Sequence, residues 1–257
     1  MDADDYLIPK GMKILKEEYF DTYGQADMIG FEYHIVDNNY NSEKWEWIHR
    51  HNLLYHGSFL DTGNKFGLGW NACFCVISRK LIKEHNIRFK PYVRAEDTLF
   101  MFSLFSITDA IAMITNLNIY RYCKRNNSAT TSLDKKYIEK ALIGGVNIVE
   151  ELKRMRSVSL YRKELFDDII IYLQGELFVK ACHSTFSYIE IKSMLHYASE
   201  KNFYPIEKDV SRVSKFINKT YNKPFIVYIF SLVFRYVYIP YIKPLNIHNT
   251  IINKLSR

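Results

Sequence analysis

Hydrophobic positions follow two regimes along the chain. Between residues 28 and 36 they alternate, and Ile29, Phe31, Tyr33 and Ile35 at period two predict a strand. Ala72 to Ile77, and a stretch centred on Ala112-Met113-Ile114, are short continuous apolar runs that read as buried strands. Helical spacing lies between them. It covers Pro9 to Tyr19, with proline in the first turn, then Arg79 to His85, then Asp97 to Ser106, which is apolar enough to be buried. Residues 1–130 therefore read as mixed α/β.

Beyond residue 134 the period becomes helical. Lys135 to Arg156 is a helix candidate broken only by Gly144-Gly145. Leu160 to Ala181 carries Leu165, Ile169, Leu173 and Leu177 as an i, i+4 stripe. Ile189 to Asn202 and Val210 to Thr220 are shorter helix candidates. An apolar run from Phe225 to Phe234 then follows Pro224, and Arg235 interrupts it before Pro240. Its 15 residues to Ile239 span ~23 Å as a helix, short of the ~30 Å hydrocarbon core of a bilayer. Two readings stand for it. One is a helix lying in a membrane interface, with Tyr228, Tyr236, Tyr238 and Tyr241 at headgroup level; the other is a core helix packed on the protein.

Charge sharpens the first reading. The chain of 257 residues carries a formal net charge of +7. From Val210 to Arg257 there are eight Lys or Arg and no Asp or Glu, while the other 209 residues hold 27 basic and 28 acidic side chains. A basic tail seeks phosphates, here those of anionic lipid. Nucleic acid is disfavoured, because the apolar run is dense and basic residues are not interleaved at phosphate spacing. Cys73, Cys75, Cys123 and Cys182 form no Cys-x-x-Cys pair and read as free thiols in a reducing compartment. Asp2, Asp4 and Asp5 are the opposite of a secretory leader's positive start, so the expected location is cytoplasmic, peripheral at the inner membrane face.

Asp2-Ala3-Asp4-Asp5 gathers three carboxylates in four residues. Taken alone, such a run is a solvated surface or the cap of the Pro9 helix. Its functional reading is a hard-oxygen site for Mg²⁺ or Mn²⁺ bridging substrate phosphates.

Three blocks decide between these readings together. Asp2-Ala3-Asp4-Asp5 precedes a helix led by Pro9. Ile77-Ser78-Arg79-Lys80-Leu81-Ile82 and Glu84-His85-Asn86-Ile87-Arg88-Phe89 lead to Arg94-Ala95-Glu96-Asp97. Tyr120-Arg121-Tyr122-Cys123-Lys124-Arg125-Asn126-Asn127-Ser128 closes the series. In this order and spacing they resemble the family 2 glycosyltransferases over residues 1–130.

The resemblance implies an incomplete, Rossmann-like GT-A mixed sheet with helices at 1–130. A helical extension at 131–221 and a basic amphipathic membrane-surface tail at 222–257 complete the domain organisation. It implies that the chain opens at the metal motif and lacks the nucleotide-binding half. By similarity, Asp2 and Asp4 hold a divalent metal and the donor diphosphate, with Asp5 outside them. Asp97 is the base that deprotonates the acceptor hydroxyl, and Glu96 supports it. Lys124 and Arg125 offset diphosphate charge, or else form a solvated turn. Trp70 shapes the acceptor pocket, or else is a core or rim aromatic. The match of Asp97 to the base position of inverting members implies inversion, and because no Gln-x-x-Arg-Trp run is present a single addition is expected. The expected activity is transfer of a sugar from a nucleotide-sugar donor to a glycan or lipid-linked acceptor. The alternative is a catalytically inactive remnant acting as a membrane-surface or interaction protein.

Overall fold

The computed structural model describes residues 5–20, 26–31, 33–36, 43–44, 54–57, 71–108, 110–114, 119–123, 134–159, 163–209 and 212–236. Contacts divide the chain into two units. One comprises residues 1–91, 96–131 and 159–162, and the other residues 92–95, 132–158 and 163–257. The described residues are mostly helical, with small mixed sheets.

The first unit begins with β1 (Tyr6–Leu7) and α1 (Pro9–Ile14), which passes into a π-helical turn at Leu15–Phe20. Pro9 suits the start of α1, since its missing N–H would have no helical partner there. Next come β2 (Met28–Phe31), β3 (Tyr33–Val36), β4 (Glu43–Lys44), β5 (Leu54–Gly57), a 3-10 turn at Ala72–Phe74 and β6 (Cys75–Ile77). α2 (Arg79–Glu84), α3 (Glu96–Phe105), β7 (Ile111–Ile114) and β8 (Tyr120–Cys123) complete the unit.

Among the described residues the strands form two four-stranded sheets, in the orders β1-β8-β3-β4 and β5-β7-β2-β6. Two chain paths run through both. β2 lies parallel to β7 with Met28 opposite Ile111, and β3 lies parallel to β8 with Tyr33 opposite Tyr120. The remaining pairings are antiparallel.

Two local expectations change. β2 is buried at all four positions rather than alternating, because it sits between β7 and β6 and both its faces are covered. The run from Ala72 is strand only from Cys75. Asn71 accepts the Cys73 N–H at 2.9 Å, and this local bond turns the chain before pairing with β2 begins.

The core of this unit gathers Leu15, Ile29, Phe31, Phe74, Ala112, Ile119 and Tyr120. The Tyr120 ring meets Phe74 edge-on at 5.2 Å, and Tyr33 stacks on the same Phe74 at 3.9 Å.

The second unit holds α4 (Lys135–Val158), α5 (Lys163–His183), α6 (Tyr188–Glu200), α7 (Arg212–Thr220) and α8 (Pro224–Val233), which ends in a π turn at 234–236. The stripe on α5 is its core face, with Leu165, Ile169, Leu173 and Leu177 all buried. α4 runs unbroken through Gly144-Gly145. The pair permits close packing, since a Cβ on Gly145 would collide with the buried Leu177 of α5. α6 opens on a capping box, Ser187 with Glu190, and closes with Asn202 at φ 53°, where the Phe203 N–H reaches the Ala198 carbonyl. α8 packs on α5, α6 and α7 through Val227 and Ser231, while its opposite face is exposed. No helix among the described residues is long and apolar enough to cross a membrane.

Ion pairs tie α4 to α5 and to the segment after α6. Arg156 bridges Asp167 and Glu207, Lys208 joins Asp167 at 2.6 Å, and Lys153 joins Glu207 at 3.5 Å. Burial pushes the Asp167 carboxyl up, but hydrogen bonds from Lys208 and Arg156 outweigh it and hold it below its ordinary value. The Arg156 hydrogen bond holds Glu207 low in the same way, against the upward push of burial, and the charges of Arg156 and Lys153 help.

Two predictions follow from this packing. Gly175 has no neighbour within 4 Å of an added Cβ. Gly175→Ala should therefore raise stability by ~0.5–1 kcal/mol. Gly145→Ala should lose ~1 kcal/mol or more from overpacking against Leu177. Urea denaturation separates the two. Because the Asp167 and Glu207 carboxyls are depressed on folding, their contribution is present above the unfolded carboxylate pKa of about 4 and is lost as pH falls through their folded values. Acid titration of the urea midpoint should show this decline, and Arg156→Gln should flatten it.

Candidate active site

α3 is the helix on which the candidate chemistry depends. Thr98, Leu99, Phe100, Met101, Phe102, Leu104 and Phe105 are all buried, so nearly its whole circumference is core. A helix held this way has little freedom to shift. Its first turn carries Glu96 and Asp97, both half-buried, and the Asp97 Oδ1 accepts the Thr98 N–H at 2.7 Å. Carboxylates at a helix N-terminus face its positive dipole end. The preceding Ala95 has φ 59°, a left-handed conformation that costs a residue with a Cβ ~1–2 kcal/mol. Backbone strain of this kind gathers at functional sites.

Glu96 and Asp97 line a cavity of about 380 Å³, together with Asn71, Ala72, Cys73, Ile77, Phe89 and Phe100. The Glu84-to-Phe89 block acquires a structural reason here. Asn86, at φ 49°, ends α2, and the Ile87 N–H returns to the Ile82 carbonyl at 3.0 Å. Ile87 is then buried, and Phe89 emerges to stack on Phe100 of α3 at 4.1 Å with planes 4° apart. Phe89 remains 53% exposed and offers an aromatic face beside the two carboxylates. Sequence reasoning missed Asn71 and Phe89 as lining residues. Asn71 had a signal, a short polar side chain just before an apolar run, which marks a turn.

The first and third sequence blocks meet through Asp5, which does not line that cavity. Its buried carboxylate accepts the Tyr120 hydroxyl at 2.6 Å on Oδ2 and the Cys123 N–H at 2.8 Å on Oδ1. β1 then pairs antiparallel with β8, Tyr6 opposite Arg121 and Leu7 opposite Tyr120. The Ile8 N–H continues the ladder to the Ile119 carbonyl at 2.7 Å. Asp5 is thus a buried anchor with both oxygens engaged.

Asp2, Asp4, Trp70, Lys124 and Arg125 lie outside the described residues. Among the described residues, no group of three or more His, Cys, Asp or Glu is arranged to hold a metal ion. All four cysteines are free thiols. Burial, helped by Cys73, pushes the Cys75 thiol up to about 12, and burial does the same for Cys182, so neither is a nucleophile at neutral pH.

No protein-family model matches the chain, and no curated protein matches it. Among solved structures it is similar to S. aureus TarS 1-349 in complex with UDP-GlcNAc, at 13% identity and a TM-score of 0.48 over 86% of this chain. It is also similar to TarS 1-349 in complex with UDP, at 14% identity and 0.38, and to a longer S. aureus TarS chain, at 14% and 0.38. This chain spans 66% and 65% of the two TarS 1-349 chains and 39% of the longer one. Likeness at this level does not assign an activity.

The Asp5 anchor makes a prediction of its own. Tyr120→Phe removes one of two donors to a buried carboxylate and should cost ~1–3 kcal/mol in urea denaturation. A loss below ~0.5 kcal/mol would mean that the carboxylate is satisfied without the hydroxyl.

Proposed function

We propose that the chain is a family 2-like, inverting and non-processive glycosyltransferase of GT-A type, or the acceptor-side part of one. Its donor is a nucleotide sugar and its acceptor a lipid-linked or surface glycan. The observation that carries this reading is the Glu96-Asp97 pair opening the buried helix α3 at the wall of a cavity of about 380 Å³. That volume suits a small ligand. The exposed ring of Phe89 beside carboxylates suits a sugar, whose C–H face packs on an aromatic while its hydroxyls meet oxygen acceptors.

Asp97 takes the base role. It draws the proton from an acceptor hydroxyl as that oxygen forms its bond to the anomeric carbon, and the bond from that carbon to the nucleotide's phosphate oxygen breaks on the opposite side. The nucleoside diphosphate leaves with the bonding pair. Glu96 orients or supports Asp97. A divalent cation on Asp2 and Asp4 would supply charge neutralisation for the diphosphate, and Lys124 and Arg125 would add to it. Trp70, one residue before the cavity-lining Asn71, shapes the acceptor side.

The test uses the full chain with Mn²⁺, a lipid-linked saccharide acceptor and UDP-, GDP- or dTDP-sugars, with UDP-GlcNAc tried first. Nucleoside diphosphate release and the mass added to the acceptor are both read. Asp97→Asn should lower transfer about a hundredfold or more while donor binding is retained. Unchanged turnover in this variant would remove Asp97 from the base role. Absence of both donor binding and transfer is the outcome shared by an acceptor-side part and by the inactive remnant, and would rule out a transferase complete in this chain.

A further inference from the structure

We propose that the outward face of α8, extended by the first turn of α6, is a docking surface for anionic phospholipid membrane. This inference uses only the helical unit and stands apart from the transferase reading.

The face is apolar and regular. Phe225, Ile229 and Val233 repeat at i, i+4, and Ile226 lies beside them; all four are exposed. At 3.6 residues per turn they fall within an arc of about 100°. Val227 and Ser231, on the other side of α8, are buried and hold the helix to the unit. The exposed stripe is therefore the surplus of a helix whose inner face is already satisfied.

α6 widens the stripe. Tyr188 meets Phe225 edge-on at 6.3 Å and Tyr228 at 6.0 Å, and the next residue, Ile189, is 72% exposed. Past the end of α8, Tyr236 is 67% exposed, with the Arg235 guanidinium 5.7 Å from its ring centre. Isolated exposed apolar residues are normal on soluble proteins, whereas a contiguous set across two helices marks an interaction surface.

The charge on α8's flank and on the helices packed against it selects the occupant. Lys215 and Lys219 on α7, Lys223 at the head of α8, and Lys192 one turn beyond Ile189 are all exposed. No Asp or Glu occurs from Val210 onward. Glu190, the acid next to Ile189, is engaged by Lys135 at 2.6 Å and by Ser187. A second copy of the chain meeting this face by two-fold symmetry would set these lysines against their own kind. A leaflet of anionic lipid complements them, takes the aliphatic side chains into its acyl boundary, and receives tyrosines at headgroup depth. The 10 residues of α8 rise only ~15 Å as a helix, so it lies on the membrane and does not cross it.

The test is flotation of the full chain with vesicles of phosphatidylcholine, with and without about 30% phosphatidylglycerol. Wild type should float with the anionic vesicles and much less with the neutral ones. Phe225→Ser/Ile229→Ser should weaken this roughly tenfold or more. Lys219→Gln/Lys223→Gln should weaken it several-fold and reduce its salt dependence. Both variants alter exposed side chains, and an unchanged thermal midpoint confirms that they fold; Ile189→Ser gives a third disruption on a different helix. Failure of wild type to float would overturn the proposal. So would flotation indifferent to all three variants, which would locate binding elsewhere in the chain. Self-association of wild type in sedimentation, abolished by Phe225→Ser/Ile229→Ser and unaccompanied by flotation, would also overturn it.

Discussion

A buried carboxylate sets the terms for the first unit. Asp5 sits in the protein interior and accepts hydrogen bonds from the Tyr120 hydroxyl and the Cys123 N–H. A buried charge is tolerated only when its oxygens are satisfied. β1 therefore has one register on β8 in which Asp5 meets both donors. Tyr120 cannot move to accommodate another, since its ring is locked between Phe74 and Phe31 in the core. Polar satisfaction and aromatic packing thus reinforce each other at one residue. The end of the Asp2–Asp5 run is fixed to the sheet by structure, whatever its first two carboxylates bind.

The long periodic segments were legible in the sequence, and the reasons are physical. The Leu165-to-Leu177 stripe is buried because four residues at i, i+4 can face only one way. The 97–106 run was apolar on every side, and α3 is indeed enclosed. Short-range polar competition was harder to read. Asn71 diverts the Ala72 run into a turn by bonding one N–H, and no hydrophobic count reveals that. The glycine pair of α4 looked like a break because its cause, the Leu177 side chain, lies on a different helix.

The candidate site was legible in part. Glu96 and Asp97 stood out as acids opening a helix, and that is where the structure has them. Asn71 and Phe89 did not, because their membership of the cavity depends on stacking with Phe100 and on how α2 ends. In the sequence Asp5 is simply the last acid of the Asp2–Asp5 run. A run of three acids does not say which one turns inward; that depends on a donor that the fold brings from 115 residues away. The exposed stripe on α8 is the counterpart case. Sequence offered packed helix or interface helix; in the structure one face of α8 is packed on its neighbours and the other is exposed.

The pairing of β1 with β8 has a consequence for synthesis. A ribosome adds roughly 5–20 residues per second, so the partner of Asp5 emerges on the order of ten seconds after Asp5 itself. During that interval Tyr6, Leu7 and α1 have left the tunnel with no sheet to join, and the carboxylate is still solvated. The segment can commit only when Tyr120 and Cys123 arrive together. Docking of β1 is therefore gated by β8, the last strand of this unit among the described residues. A nascent chain stalled before residue 120 should leave β1 and α1 open to whatever factor waits at the tunnel exit.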